Sequence, residues 1–179
     1  MIVGIAGAIG SGKTCLLTRY AYLSYRRGRH ILSNYHLKFP HRYFNDVADL
    51  FSDSSLKNVF LAIDEMQILL DCRVSASKRN RLISYFILQT RKRNVDLYFT
   101  TQDIAMLDLR LLRHMDAYIK LRNVFVYDKH SSLVKKHPYL FFLRIHDYRD
   151  SDNIVIKDFY FDGRKFFDLY DTSEIIAPL

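Results

Sequence analysis

The sequence predicts an α/β fold: a mostly parallel sheet with helices on both faces. Three observations carry this expectation. A short apolar segment with Ile2, Val3 and Ile5 runs into a glycine-rich turn that opens a helix. A continuous apolar run, VFLAI, ends in Asp64-Glu65, and strand-like and helix-like segments alternate through residue 122. Strands buried on both faces read as unbroken apolar runs, and regular β/α alternation is the pattern of a parallel sheet.

Taken in order, residues 1–9 read as a buried strand ending in a turn. From Lys13 the apolar residues Leu16, Leu17, Tyr20, Ala21 and Leu23 recur at helical spacing and stop at Arg26, Arg27 and Gly28, basic residues followed by a glycine. Residues 30–35 form a second short apolar run, and 38–57 a polar connection with one helical turn expected at 47–51. After the run at 59–63, residues 78–93 interleave basic residues with Leu82, Ile83, Phe86 and Ile87 at helical period, an amphipathic helix with a cationic face. Residues 97–101 read as a strand, 107–115 as a short helix and 117–121 as a fifth strand. Four further apolar runs, at 124–127, 139–145, 154–161 and 165–170, are separated by charged turns such as Asp162-Gly163. They are expected to form hairpins closing one edge of the sheet.

At 179 residues and 21.3 kDa the chain suits one domain, with a core at 1–122 and a β-rich extension at 123–179. An apolar share of 49% indicates a globular protein, and no apolar run approaches the roughly 18 residues needed to span a bilayer, so no membrane association is expected. The opening segment MIVGIAGAIG carries no basic leader, which argues against a cleaved signal peptide. Two cysteines, Cys15 and Cys72, supply neither a disulfide framework nor a metal spacing and point to a reducing, cytoplasmic setting. The net charge of +8 is concentrated: residues 73–122 carry 11 Lys and Arg against 4 Asp and Glu, whereas the flanking segments are nearly balanced. A basic concentration of this kind suits a polyanion such as nucleic acid, although it also describes a solvated helix face.

The chemistry begins at residues 7–14. Gly7, Ala8, Ile9, Gly10, Ser11, Gly12, Lys13 and Thr14 spell G-x-x-x-x-G-K-[ST] without departure, between a strand and a helix as a phosphate loop requires. Successive backbone N–H groups can turn inward around phosphates there, and the positive end of the following helix points to the same place, with Cys15 next in line. Lys13 offers a point charge to the β- and γ-phosphates, and Thr14 a hydroxyl to Mg²⁺. Asp64 is placed to hold the metal, and Glu65 to polarise the water that attacks the γ-phosphorus. The segment FTTQ ends the strand at 97–101, which brings Gln102 to the same carboxyl rim, where a neutral amide can sense the γ-phosphate.

With these segments in place, the chain resembles the FtsK/HerA superfamily of P-loop ATPases, with a RecA/ASCE-like core. It is most similar within that superfamily to viral genome-packaging ATPases and to the ATPase domain of zonular occludens toxin and filamentous-phage assembly proteins. The likeness spans about the first 120 residues, at GAIGSGKT, LSNYHL, IDEMQ, YFTTQD and DLRLLRHMDAYIKLR, with FDLYDTSEII as a further similar phrase near the end. It implies ATP as the nucleotide and an extra strand between the two nucleotide motifs. It also implies a homo-oligomeric ring, often hexameric, that moves double-stranded DNA independently of sequence, with capsid or other virion proteins among its partners. A further implication is an arginine finger from a neighbouring subunit, for which Arg91, Arg93, Arg110 and Arg113 are the candidates and spacing does not choose. Lys78, Arg79, Arg81, Arg91, Lys92 and Arg93 are the candidates for contact with DNA phosphates. Toxin and filamentous-phage members are usually tied to a transmembrane segment, so the lack of such a run favours the packaging type.

The leading expectation is therefore ATP hydrolysis driving DNA translocation for viral genome packaging. A small nucleotide or metabolite kinase is one alternative, but no lid insertion with paired arginines is visible. A phage-type assembly or secretion ATPase is another. A scaffold that merely retains nucleotide has no need of Lys13, Thr14, Asp64 and Glu65 together.

Overall fold

A computed structural model of the chain describes residues 1–45, 50, 56–69, 85–129, 131–149 and 154–174. Its elements are β1 (Ile2–Ala6), α1 (Lys13–Arg26), β2 (His30–Ser33), β3 (Arg42–Tyr43), β4 (Val59–Ile63), α2 (Met66–Leu69), β5 (Asp96–Thr101), α3 (Leu109–Leu112), β6 (Ala117–Asp128), β7 (Leu133–Asp147) and β8 (Val155–Asp162). The strands form one sheet in the order β3-β2-β4-β5-β1-β6-β7-β8, parallel from β3 to β6 and antiparallel from β6 to β8. β5 lies between β1 and β4, which places the extra strand that the resemblance implied between the phosphate loop and the acid pair.

Alternation along the strands divides the core in two, because successive side chains leave a strand on opposite faces. On one face Val3, Ile5, Ile31, Phe60, Ala62, Ile119 and Leu121 pack against Leu16, Leu17 and Ala21 of α1. On the other, Ile2, Leu32, Leu61, Ile63, Leu97 and Phe99 meet Phe86, Ile87, Leu111 and Met115. All five residues of β1 and all five of β4 are buried, as the unbroken apolar runs predict. Helices thus cover both faces.

The elements differ from expectation in several places. The fifth strand does not stop at 121: β6 runs on to Asp128, and the run at 124–127 is its outer half, paired with β7. The short helix is confined to Leu109–Leu112 because the chain first makes a 3-10 turn at Ile104–Met106, capped by the Asp103 carboxylate. Residues 165–170 form no strand; Phe167–Leu169 is a 3-10 turn, and only Tyr170 makes a bridge, to Leu37. The aromatic run there covers buried Phe141 and Phe161 instead of extending the sheet. The helical turn expected at 47–51 and most of the cationic helix lie outside the described residues; of the latter, 85–89 is helical and 91–94 is a turn.

Candidate nucleotide site

Parallel strands end on one rim, and β1, β2, β4 and β5 each deliver a polar residue there: the loop after Ala6, Asn34, Asp64-Glu65 and Gln102. The loop itself is shaped by two close approaches. A Cβ on Gly7 would stand 2.4 Å from the Leu121 carbonyl oxygen of β6. Gly12 has φ +85°, where an L side chain is strained, and a Cβ there would meet the Phe141 ring at 2.7 Å. The loop closes on itself through the Ser11 N–H, which donates to the Ala8 carbonyl at 3.1 Å. The Ser11 hydroxyl is buried with no partner among the described residues. Lys13 is 6% exposed, and its ammonium donates to the Ala8 carbonyl at 3.3 Å across the mouth of the loop.

Asp64 is 7% exposed and held from several directions. The Thr14 hydroxyl donates to Oδ2 at 2.9 Å, and the Thr100 hydroxyl donates to Oδ1. The Asn34 amide grips the backbone of the same residue, donating to its carbonyl at 3.0 Å and accepting from its N–H at 2.7 Å. Burial pushes the Asp64 carboxyl above its ordinary value, against the Thr100 and Thr14 hydroxyls, which favour the charged form. Glu65 follows in the left-handed region at φ +52°, a conformation rare outside glycine, with its N–H donated to Thr100 Oγ1 at 2.9 Å and its carboxylate accepting from the Gln67 amide. One threonine hydroxyl therefore fixes both acids.

These residues suit a hard divalent cation beside a polyphosphate. The donors are an alcohol and a carboxylate oxygen at contact distance, and among the described residues that carboxylate meets two hydroxyls and no cation within ion-pair reach. Among the described residues no group of three His, Cys, Asp or Glu side chains is placed to hold a metal ion. A cavity of about 310 Å³ opens beside the loop, lined by Gly10, Gly12, Lys13, Thr14, Glu65 and, from the C-terminal extension, Lys136, Pro138, Phe141, Phe167 and Tyr170.

No family model and no curated protein matches the sequence. Solved structures do. The N-terminal domain of zonular occludens toxin from Neisseria meningitidis superposes with a TM-score of 0.66 at 19% identity, over 95% of this chain and 98% of that one. The genome-packaging NTPase B204 of Sulfolobus turreted icosahedral virus 2, in complex with ATP-gammaS, gives 0.62 at 14% identity, over 88% and 95%. The flagellar accessory protein FlaH from Methanocaldococcus jannaschii gives 0.62 at 11% identity, over 90% and 84%. This chain has the P-loop ATPase fold.

Within the P-loop fold the remaining candidates separate clearly. Gln102 stands at the rim beside Gly7 and Ser11, lining a second cavity of about 560 Å³. Arg91, 3.5 Å from Asp116, and Arg113 line a third cavity with Met1 and Arg149. That cavity is at the amino-terminal edge of the sheet, as is Arg93, whose carbonyl accepts from Asn58 N–H just before β4. These three arginines are remote from the phosphate loop of their own chain. Arg110 is folded back on Asp108 at the start of α3, donating to both carboxylate oxygens at 2.9 and 2.6 Å. Lys92 lies in the exposed turn beside Arg91, and Lys78, Arg79 and Arg81 lie outside the described residues. Among the described residues no helix is long and apolar enough to cross a membrane.

Sequence reasoning passed over Asn34, Thr100 and Lys136. The first two sit inside the segments LSNYHL and YFTTQD, so the signal was present, but their roles come from strand register. Ile63 pairs with Phe99, which sets Asp64 level with Thr100. Lys136 carries no local signal at all.

Proposed function

We propose that this P-loop protein is a Mg²⁺-dependent ATPase that converts hydrolysis into movement of double-stranded DNA, in the manner of a viral genome-packaging motor. The observation that carries the reading is the clasp of Thr14 and Thr100 on the buried carboxylate of Asp64, with Glu65 locked next to it and Lys13 across the loop. Thr14 and Asp64 would hold Mg²⁺, whose charge neutralises the phosphates when bound. Residues 7–15 would wrap the phosphate chain with backbone N–H groups, the Ser11 hydroxyl being a further donor inside the loop. Lys13 would follow the charge that moves onto the leaving β-phosphate oxygen as the γ-phosphorus bond breaks. Glu65 would accept a proton from the attacking water, and Gln102 would report the state of the γ-phosphate from the neighbouring strand.

The same reading treats residues 1–122 as the nucleotide-binding core of one domain and 123–179 as the extension that walls the site. In a homo-oligomeric ring, probed first as a hexamer, an arginine from the amino-terminal edge would reach the next subunit's phosphates. Arg91, Arg93 and Arg113 occupy that edge, and Arg110, folded on Asp108 at the start of α3, is the fourth candidate. The ring would work in the host cytoplasm or on a virion, against capsid proteins. B204 is described as a genome-packaging NTPase, which supports this cargo; the nearly full-length match to the toxin domain supports an assembly or secretion ATPase as the second reading.

Steady-state ATPase activity, measured across protein concentration with and without double-stranded DNA beside a Glu65→Gln variant, tests the proposal. Turnover that rises with DNA and concentration and vanishes in the variant is expected. Turnover indifferent to DNA moves the choice to the assembly reading, and absence of hydrolysis with nucleotide bound ends the motor proposal.

A further inference from the structure

The two long strands β6 and β7 do not pair evenly. Asn123 stands opposite Phe141 and Phe125 opposite Lys136, so residues 137–140 bulge from the ladder opposite the single residue Val124. The bulge is built into the sequence. Pro138 has no N–H to give the ladder, and His137 Nδ1 accepts the backbone N–H groups of Tyr139 at 3.3 Å and Leu140 at 2.9 Å. Its far end is tied down by Gly163 N–H, which donates to the Tyr139 carbonyl at 2.9 Å. Bulges re-aim side chains, and this one directs Lys136 at the phosphate loop, where its ammonium donates to the Gly10 carbonyl.

The surroundings of that ammonium ask for an anion. Lys136 and Lys13 line one cavity of about 310 Å³, whose single acidic lining residue among the described residues is Glu65. Among the described residues Lys136 has no carboxylate partner, whereas its neighbour Lys135 leaves the strand on the other face and pairs with Asp128 at 2.7 Å. A lysine held, among the described residues, by a backbone carbonyl alone, next to a bulge braced at both ends, is poised to transfer its hydrogen bond to a stronger acceptor arriving in the cavity.

We infer that Lys136 is a second lysine contact to the phosphate chain of the bound nucleotide, supplied by the C-terminal extension across the phosphate loop. This rests on the nucleotide-binding reading above and adds a residue outside the loop and strand motifs. The bulged strand closes the outer side of the phosphate chain, opposite Asp64, so that binding of a polyphosphate and the seating of the β6–β7 hairpin are one event.

The test is isothermal titration of the full chain, in Mg²⁺, with the non-hydrolysable ATP analogue AMPPCP, with ADP and with AMP. Lys136→Ala is expected to weaken AMPPCP and ADP about tenfold and AMP much less, because the contact is to the outer phosphates. Lys136→Gln, which can still donate to the Gly10 carbonyl, is expected to show the same loss, and Lys135→Ala, which removes an equal charge on the other face, to show none. Full affinity in Lys136→Gln assigns the residue to bracing the loop and overturns the inference. So does an equal loss in Lys135→Ala, or an unchanged AMPPCP affinity in Lys136→Ala. Failure of the unmutated chain to bind AMPPCP and ADP overturns the nucleotide-site reading itself.

Discussion

The Thr14 hydroxyl donates to Asp64 Oδ2 at 2.9 Å, joining the start of α1 to the end of β4 across the width of β5. The contact closes a site on two residues 50 positions apart in sequence. A hydroxyl at position 14 is therefore expected to matter more than its volume. Thr14→Val keeps the shape and deletes the donor. Calorimetric titration of AMPPCP at graded Mg²⁺ is expected to show half-saturation by the metal shifted upward at least about tenfold, with Thr14→Ser close to the original. Equal Mg²⁺ dependence in all three proteins would remove Thr14 from the metal site.

Asn34 works on the other side of the same carboxylate, through the backbone. Its amide makes two buried hydrogen bonds to the N–H and carbonyl of Asp64. Asn34→Ala leaves both groups unsatisfied in the interior, at a cost of about 2–3 kcal/mol. Urea denaturation is expected to show a midpoint lowered accordingly with an unchanged slope. Asn34→Asp is expected to be no better, because a carboxylate can accept from the Asp64 N–H but cannot donate to its carbonyl.

Glu65 presents the opposite balance. Its left-handed backbone at φ +52° is strained for a side-chain-bearing residue, and its N–H is pinned to Thr100. Strain held at a rim position by a buried neighbour is a mark of use, not of packing. Glu65→Gly is expected to leave the melting temperature equal or higher while ATP turnover falls by about 10²-fold or more. A protein that loses stability and keeps turnover would place Glu65 among the structural residues.

How much of this was legible in the sequence follows from how each feature is encoded. The strand, loop and helix at residues 2–26, and the buried β4 with its two acids, are local: a periodicity or a run of eight residues specifies them. Asn34 and Thr100 are not local, since an amide or hydroxyl after a strand acquires meaning only when parallel register sets it beside Asp64. Lys136 depends on still more, a bulge and an antiparallel turn-back that bring β7 over a loop 126 residues earlier. Residues 165–170 read as a strand because the run KFFDLY is rich in apolar and aromatic residues and follows the charged turn Asp162-Gly163, while the rings of Phe166, Phe167 and Tyr170 are recruited to the core beneath α1. Burial of aromatic side chains outweighed backbone pairing there.

Cys15 supplies the last prediction. Its thiol is fully buried directly after Thr14, 3.6 Å from the Gly163 carbonyl, and a Cβ on Gly163 would itself lie 3.0 Å from the sulfur. Burial first, and the Asp162 carboxylate second, push the thiol up to about 12. The thiolate is the reactive form, and pH 8 lies well below that value, so the folded protein holds Cys15 protonated and unreactive there. In a Cys72→Ser background, iodoacetamide at pH 8 is expected to leave Cys15 unmodified over hours by mass spectrometry and to alkylate it within minutes once urea unfolds the chain. Raising the pH from 8 toward 10 on the folded protein is expected to speed modification about tenfold per pH unit, because the small deprotonated fraction grows in that proportion below a value of about 12, while leaving it far slower than in the unfolded chain. Rapid alkylation of the folded protein at pH 8 would mean that the start of α1 opens to solvent, and with it the packing of Gly163 and Phe167 against the phosphate loop.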